Sequence, residues 1–236
     1  MVAGLGLLGM TVVSAFSFSV FSNLVVAGDA TRTARAIGDH ELLFRALTCG
    51  FLIVAVLDVV VAWALYVLLA PVDRNVALLS ASLRVVYAAV FAAVLGHLLA
   101  AVRLLTDTTA QDAFDTRQVD AQALASVNAF KDGWDAALVI FGLHLLVLGH
   151  LVLRSGYIPR MLGVLLMIAS LGYVVDGLGR CLSRGYGANV SGYTFVGEAL
   201  LMVWLLWKGR HLPGRPATRR ARGLVSRASS SAERLL

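Results

Sequence analysis

The sequence predicts an all-α protein, a polytopic transmembrane bundle of six helices. Hydrophobic residues make up 59% of the 236-residue chain and charged residues only 14%, whereas a soluble domain is ordinarily about 45–50% apolar and about 25% charged. Several windows of about twenty residues hold almost no charge, and a helix of that length crosses a hydrocarbon core of about 30 Å. The apolar runs are continuous and do not alternate, which argues against membrane β-strands.

The first predicted span, residues 2–28, is interpreted as a retained helix. Val25 and Ala27 imitate a signal-peptidase site. However, no basic segment precedes the apolar run, and the run exceeds the about 7–15 residues of a signal peptide. The polar residues 29–41 carry both signs of charge and predict an exposed turn or a short surface helix.

The second and third predicted spans, residues 42–70 and 76–104, are joined by the short link PVDRN. Pro71 ends the second span, and such a short link requires neighbouring helices to run antiparallel. A long polar connection follows the third span, and then the amphipathic segment AQALASVNAFKDG. We expect this segment to lie on the membrane surface before Gly133 turns the chain inward.

Three further spans complete the predicted six-helix domain, residues 1–209. The fourth covers residues 134–153 and begins with Trp134, an aromatic residue typical of the membrane interface. The basic turn RSGYIPR leads to the fifth span, residues 161–178, and the polar loop RCLSRGYGANVSG leads to the sixth, residues 190–207.

The C-terminal tail, residues 210–236, carries much of the net charge of +6. A basic segment directly after a span predicts a cytoplasmic anchor, attracted to anionic lipid headgroups by about 1 kcal/mol per charge, rather than a nucleic-acid site. Its Arg, Ser and Ala content predicts disorder. Six spans place both termini on one side, so we expect a multi-pass protein of the bacterial inner membrane with both termini in the cytoplasm. The basic residues beyond the last span are Lys208, Arg210, Arg215, Arg219, Arg220, Arg222, Arg227 and Arg234.

Four ionisable residues on four different spans are predicted to lie at nearly one depth. Counted from the cytoplasmic ends at about 1.5 Å per residue, Asp58 lies about 16 Å deep, and Arg84, His144 and Glu198 each lie about 14 Å deep. We therefore expect a polar layer near the midplane, in which Arg84 pairs with Asp58, Glu198 or both. One negative charge is left over, and a protonated His144 or a proton on one acid would balance it.

This polar layer has two interpretations. It is either structural, joining helices at about 0.6–2 kcal/mol per contact, or a ligand-binding or proton-handling site, as midplane acids and histidines are in transporters. A second polar level is predicted near the outer boundary, where charges are usually solvated; the alternative is an outward vestibule, with Asp176 as its deepest member. The members of this outer level are Asp135, Tyr173, Asp176 and Arg180.

The sequence carries no motif for a metal, a cofactor or a catalytic nucleophile. His97 lies too far outward of His144 for the two to share a haem, and no zinc spacing, nucleophile elbow or phosphate loop is present. Cys49 and Cys181 are interpreted as separate small core residues, with a single disulfide as the alternative. An enzyme is therefore the least favoured class.

Three stretches carry a family resemblance: LLFRALTCGFLIVAVLDVVVAWALYVLLAPVDRNVALLSASLRVVYAAV, FKDGWDAALVIFGLHLLVLGHLVLRSGYIPRMLGVLLMIASLGYVVDGLGR and GEALLMVWLLWKG. In these the chain resembles DUF4386, an uncharacterised bacterial integral-membrane family, most specifically at FGLHL, GYIPR and GYVVD. The likeness covers nearly all of residues 3–210 and leaves out the basic tail. It implies a six-helix membrane protein but supplies no activity. It also places these residues within family motifs: Asp58, Arg84, Trp134, His144, Asp176 and Glu198.

The sequence favours a multi-pass membrane protein that binds a small or amphiphilic ligand, or handles protons, at a polar midplane pocket formed by Asp58, Arg84, His144 and Glu198. The alternative is a non-catalytic membrane scaffold or interaction protein, in which the buried charges only fix helix packing and the tail contacts lipid or a partner.

Overall fold

The computed structural model describes residues 2–107, 114–183 and 185–208, and these residues form eight α-helices without any strand. The all-α prediction is therefore confirmed for the described part of the chain. The predicted basic tail, residues 210–236, lies outside the described residues. The helices are α1 (Val2–Leu24), α2 (Ala30–Asp39), α3 (Glu41–Leu69), α4 (Arg74–Thr106), α5 (Thr116–Ser155), α6 (Arg160–Leu182), α7 (Ser191–Thr194) and α8 (Val196–Lys208).

Five of these helices, α1, α3, α4, α5 and α6, are long and apolar enough to cross a membrane. Large apolar side chains lie on their outer faces, for example Val12 at 63%, Trp63 at 61% and Leu171 at 61% exposure. A surface of this kind is unfavourable in water, because each exposed apolar side chain lacks the about 1.5–3 kcal/mol of stabilisation that its burial would contribute. It is suited to contact with lipid.

The predicted sixth span is divided into α7 and α8. Phe195 lies between them, and its carbonyl accepts a hydrogen bond from the Glu198 amide three residues on, at 3.0 Å. This tighter turn interrupts the α-helical ladder. The 13 residues of α8 extend about 20 Å at about 1.5 Å each, less than a hydrocarbon core, so the count of six spans is not confirmed.

The fourth predicted span is the second half of a much longer helix. α5 has 40 residues, or about 60 Å at 1.5 Å per residue, and continues through Gly133 without a turn. A Cβ at Gly133 would lie 2.5 Å from Cγ1 of Val94 on α4. The glycine therefore permits close contact between two helices, and the predicted inward turn at Gly133 is wrong.

The first part of α5 packs against α2 and the end of α4. α2 occupies the polar segment for which a turn or short surface helix was predicted. Its N-cap, Asp29, accepts a hydrogen bond from the Arg32 amide at 2.9 Å, and it buries Thr33, Ala34 and Ile37 on one face. These contacts cover the half of α5 that precedes the predicted fourth span.

The long helices form a closed ring in which α1 packs on α3, α3 on α4, α4 on α5, α5 on α6, α6 on α8 and α8 on α1. The short link after α3 makes α3 and α4 neighbours, as predicted, and Asp73 in that link caps α4 through the Asn75 and Val76 amides, both at 3.1 Å. The hydroxyl of Tyr157, in the link between α5 and α6, donates to the Leu68 carbonyl at 2.6 Å. Burial raises the pKa of Tyr157, which keeps this hydroxyl a donor.

Aromatic side chains fill one end of the ring. Their ring centroids lie 4.9–6.4 Å apart in edge-on, tilted and stacked pairs, the spacing at which aromatic pairs attract each other. The cluster joins α1, α3, α4 and α5. Its members are Phe18, Phe21, Phe51, Phe91, Phe130 and Trp134.

The contact between α5 and α6 depends on glycines that face each other. A Cβ at Gly149 would lie 2.8 Å from the Gly163 carbonyl oxygen, and a Cβ at Gly163 would lie 2.9 Å from the Gly149 carbonyl oxygen. The two backbones therefore touch directly, as in helix pairs that use small residues inside membranes.

Gly149→Ala is expected to destabilise the protein by about 1–3 kcal/mol, because the added methyl group forces α5 and α6 apart. Gly96→Ala is the matched control. Gly96 is also helical, but nothing lies within 4 Å of a Cβ there, so the substitution should be neutral or stabilise by up to about 1 kcal/mol. Unfolding in detergent measures both changes, and equal stabilities for the two variants would contradict the glycine contact.

Candidate functional site

Arg84 is the centre of the buried polar groups. Its Nη2 lies 2.7 Å from Oδ1 of Asp58, and both side chains are almost fully buried. The pair joins α4 to α3. Neither Asp58 oxygen has a partner aligned as a hydrogen-bond donor among the described residues, so the contact is an ion pair.

His144 contacts the same guanidinium from α5. Its Nε2 lies 3.3 Å from Arg84 Nη1, and its Nδ1 lies 2.8 Å from the Ser80 carbonyl oxygen. Because Arg84 can only donate and the carbonyl can only accept, both contacts fit the neutral tautomer that carries its proton on Nδ1. His144 therefore holds Arg84 in place and, in this geometry, is not the balancing positive charge.

Arg84 makes two further contacts, although its Nε is buried without a hydrogen-bond partner among the described residues. Its Nη2 lies 3.9 Å from Sδ of Met10 on α1, and its Cζ lies 5.4 Å from the centre of the Phe141 ring on α5. A guanidinium at this distance from a ring face is attracted to it. Arg84 thus joins α1, α3 and α5 to its own helix.

A cavity of about 600 Å³ lies inside the ring of helices, next to Arg84. Its walls come from α1, α3, α4, α5, α6 and α8, together with α7 and the residues before it. Asp58, Arg84 and Glu198 are on the wall, whereas His144 is fully buried behind Arg84 and is not. Its lining residues are Leu7, Met10, Thr11, Ser14, Phe18, Val54, Asp58, Arg84, Tyr87, Trp134, Asp135, Leu138, Phe141, Tyr173, Arg180, Asn189, Ser191, Gly192, Phe195, Glu198, Ala199 and Met202.

Glu198 lies in the first turn of α8 and faces this cavity. No Lys, Arg or His nitrogen of the described residues lies within 4.0 Å of its carboxylate, so Arg84 pairs with Asp58 and not with Glu198. The Tyr173 side chain on α6 interacts with the carboxyl group. Oε1 of Glu198 is shielded from solvent and has no hydrogen-bond partner among the described residues.

The four residues of the predicted outer level do not lie together: three of them line the cavity and Asp176 does not. Arg180 on α6 forms an ion pair with Asp135 on α5, and this pair lines the same cavity as Asp58 and Arg84. Tyr173 also lies on the wall and packs edge-on against Phe141, with ring centres 5.4 Å apart. A single cavity therefore connects both predicted polar levels.

Asp176 does not face the cavity. Its carboxylate accepts hydrogen bonds from the Tyr186 hydroxyl at 2.7 Å, the Val190 amide at 3.0 Å, and the amide and hydroxyl of Ser191 at 2.7 and 2.6 Å. The carboxylate raises the pKa of Tyr186, because its hydrogen bond favours the neutral phenol. Asp176 anchors the loop between α6 and α7, and the alternative of a vestibule with Asp176 as its deepest member has no support in this geometry.

Several cavity and contact residues were not singled out from the sequence. Ser80 and Tyr87 lie four residues before and three after Arg84, and Phe141 lies three before His144. At those spacings side chains share one helix face. These residues could therefore have been found in the sequence by looking three or four positions away from Arg84 and His144. Trp134 was expected at the membrane interface; it lines the cavity, and its Nε1 has no partner among the described residues.

No group of three His, Cys, Asp or Glu side chains suited to a metal occurs within the described residues. Cys49 and Cys181 are both free and exposed, so neither is the buried core residue that was expected. The arrangement provides charge, hydrogen-bonding groups and aromatic faces, and these are the groups that bind a ligand non-covalently.

The comparison with family models decides the family. Residues 2–209 match the model described as Domain of unknown function (DUF4386). The chain belongs to this family. The resemblance seen in its FGLHL, GYIPR and GYVVD stretches is therefore confirmed, and Arg84, His144 and Glu198 lie within the matched region.

A relative of this family member occurs in Archaeoglobus fulgidus. It is described as an uncharacterized protein and is 39% identical over 163 residues, which are 69% of this chain and 83% of the relative. No solved structure matches the chain.

Arg84→Met is expected to destabilise the protein by about 3–5 kcal/mol, because Asp58 is left as a buried, unpaired charge. The double variant Asp58→Leu with Arg84→Met should lose less than the sum of the two single changes, since neither charge remains. Thermal unfolding in detergent measures all three proteins.

The half-exposed pair of Asp135 and Arg180 serves as the control for this cycle. Asp135→Leu and Arg180→Met should each cost below about 1 kcal/mol, because solvent screens that pair. Additive losses for the Asp58 and Arg84 substitutions would contradict the buried ion pair.

Proposed function

We propose that this protein binds a small amphiphilic ligand within the lipid bilayer, in the cavity between its helices. The observation that carries the proposal is the composition of the cavity wall: apolar and aromatic side chains surround Asp58, Arg84 and Glu198. A volume of about 600 Å³ falls within the about 300–1,000 Å³ of small-molecule sites.

Polar atoms without partners support ligand binding at this wall. Oε1 of Glu198 and Nε1 of Trp134 are shielded from solvent and lack hydrogen-bond partners among the described residues. Unpartnered buried groups of this kind each cost about 1–3 kcal/mol. A ligand that supplied a donor to Glu198 and an acceptor to Trp134 would remove that cost.

Proton handling is less well supported than ligand binding. It was predicted from the placement of His144 beside the midplane acids. In the structure His144 bonds Ser80 and Arg84 and is absent from the cavity wall, and it makes no contact with Glu198 that would pass a proton between them.

The scaffold alternative draws on the contacts of Arg84, which join helices without any ligand. Those contacts account for Asp58 and His144. They do not include Glu198, whose carboxylate pairs with no cation of the described residues.

The proposal includes a membrane topology. α7 and α8 together, Ser191–Lys208, would form a sixth crossing of a bacterial inner membrane, with both termini in the cytoplasm and the basic tail on anionic headgroups. Green fluorescent protein fused after residue 208 should then fluoresce, since it folds in the cytoplasm; a dark fusion would contradict this orientation.

Ala199→Trp is expected to abolish ligand occupancy, because the indole would fill the cavity beside Glu198. Native mass spectrometry of the detergent-solubilised protein should find one amphiphile bound to the wild type and none to the variant. Glu198→Gln, which keeps the shape of the site, should reduce occupancy.

Ala136→Trp is the matched control, since Ala136 is exposed on the outer face of α5. It should retain the ligand. If Ala199→Trp and Ala136→Trp have equal ligand occupancy, the proposal is overturned in favour of a scaffold. This holds both when the two variants bind the ligand and when neither does.

A further inference from the structure

The charges on the cavity wall do not balance. Three carboxylates and two guanidinium groups line the cavity. Asp58 pairs with Arg84, and Asp135 pairs with Arg180. Glu198 is left as the one lining acid without a cation among the described residues, so with its carboxyl group ionised the wall lacks one positive charge.

The unpaired acid lies among aromatic side chains. The rings contribute faces of negative potential, which attract cations within about 6 Å of the ring centre. One ring already holds a cation, since the Arg84 guanidinium carbon lies 5.4 Å from the centre of Phe141. The aromatic lining residues are Phe18, Tyr87, Trp134, Phe141, Tyr173 and Phe195.

The cavity wall also reaches the outer surface of the bundle between α1 and α8. These two helices touch where a Cβ at Gly4 would lie 3.0 Å from the Leu206 amide nitrogen, and again where the Thr11 hydroxyl lies 3.5 Å from Sδ of Met202. Beyond that contact, Phe18 at 37% and Phe195 at 49% exposure belong both to the wall and to the surface. An apolar molecule could therefore reach Glu198 from the lipid.

We infer that the cavity selects an apolar organic cation, whose positive group lies against the Glu198 carboxylate and whose apolar groups pack on the surrounding rings. The inference rests on the proposed function and names the class of its ligand. A cation supplies the charge that the wall lacks. An anion of the same shape would meet an unpaired carboxylate and the negative faces of the rings.

The test uses two probes of one shape and opposite charge, tetraphenylphosphonium and tetraphenylborate. Equilibrium dialysis of each probe separately against the purified full-length protein should show that tetraphenylphosphonium binds and that tetraphenylborate does not. Glu198→Gln should weaken phosphonium binding about tenfold, which corresponds to about 1.4 kcal/mol. Glu41→Gln makes the same change at the exposed end of α3 and should bind the phosphonium as the wild type does.

The outcomes separate this inference from the proposed function. Probe binding that Ala199→Trp blocks, but that is equal for both charges or unaffected by Glu198→Gln, overturns the cation preference and leaves the cavity as a binding site. If the protein carries an amphiphile in mass spectrometry but binds no phosphonium, the cation preference is also overturned and the cavity remains a binding site. Phosphonium binding that Ala199→Trp leaves unchanged overturns both.

Discussion

The structure depends on one buried guanidinium. A charge among apolar helices is tolerated only where it is paired, because its transfer out of water costs several kcal/mol even after relaxation. Arg84 meets Asp58 from α3, His144 and Phe141 from α5, and Met10 from α1. Each contact joins one helix to α4, so the register of α1, α3 and α5 against α4 depends on this side chain.

The cavity follows from the same constraint. Asp58 and His144 use the contacts that Arg84 offers, and Arg84 is held against the wall of the space between the helices. α8 closes the ring against α1 and brings Glu198 to that space without a cation of its own. The proposed binding site depends on this combination of a charge-paired frame and one acid without a cation among the described residues.

The sequence could predict that Asp58, Arg84 and His144 lie at one level of the bundle, where they now meet, but it could not predict the direction of each side chain. The rise of an α-helix places Asp58, Arg84, His144 and Glu198 at similar depths by counting alone, and the short links make α3 and α4, and α5 and α6, neighbours. Which way a side chain faces depends on the rotation of each helix, and the apolar surface of a membrane helix reveals that rotation poorly because lipid and core are both apolar. The sequence therefore left open whether Arg84 meets Asp58, Glu198 or both, and it left open whether Asp176 lines a vestibule, whereas Asp176 binds a loop.

One error has a simple physical cause. Gly133 was expected to turn the chain, yet glycine in a helix also admits a close neighbour, and Val94 occupies the space that a side chain would need. This contact joins segments distant in the chain, which local patterns do not contain. The sixth span is divided by a tight turn at Phe195, and the count of six spans stays a prediction.

Labelling of a single cysteine in the cavity tests the central claim most directly. In protein that carries Cys49→Ser and Cys181→Ser, Ala199→Cys lies on the cavity wall, and Ala169→Cys lies on α6 at a site with 0% exposure. A water-soluble methanethiosulfonate with a trimethylammonium group should label Ala199→Cys in the folded protein and Ala169→Cys only after unfolding. Protection of Ala199→Cys until the protein is unfolded would show that no accessible cavity adjoins Glu198, and would contradict the account.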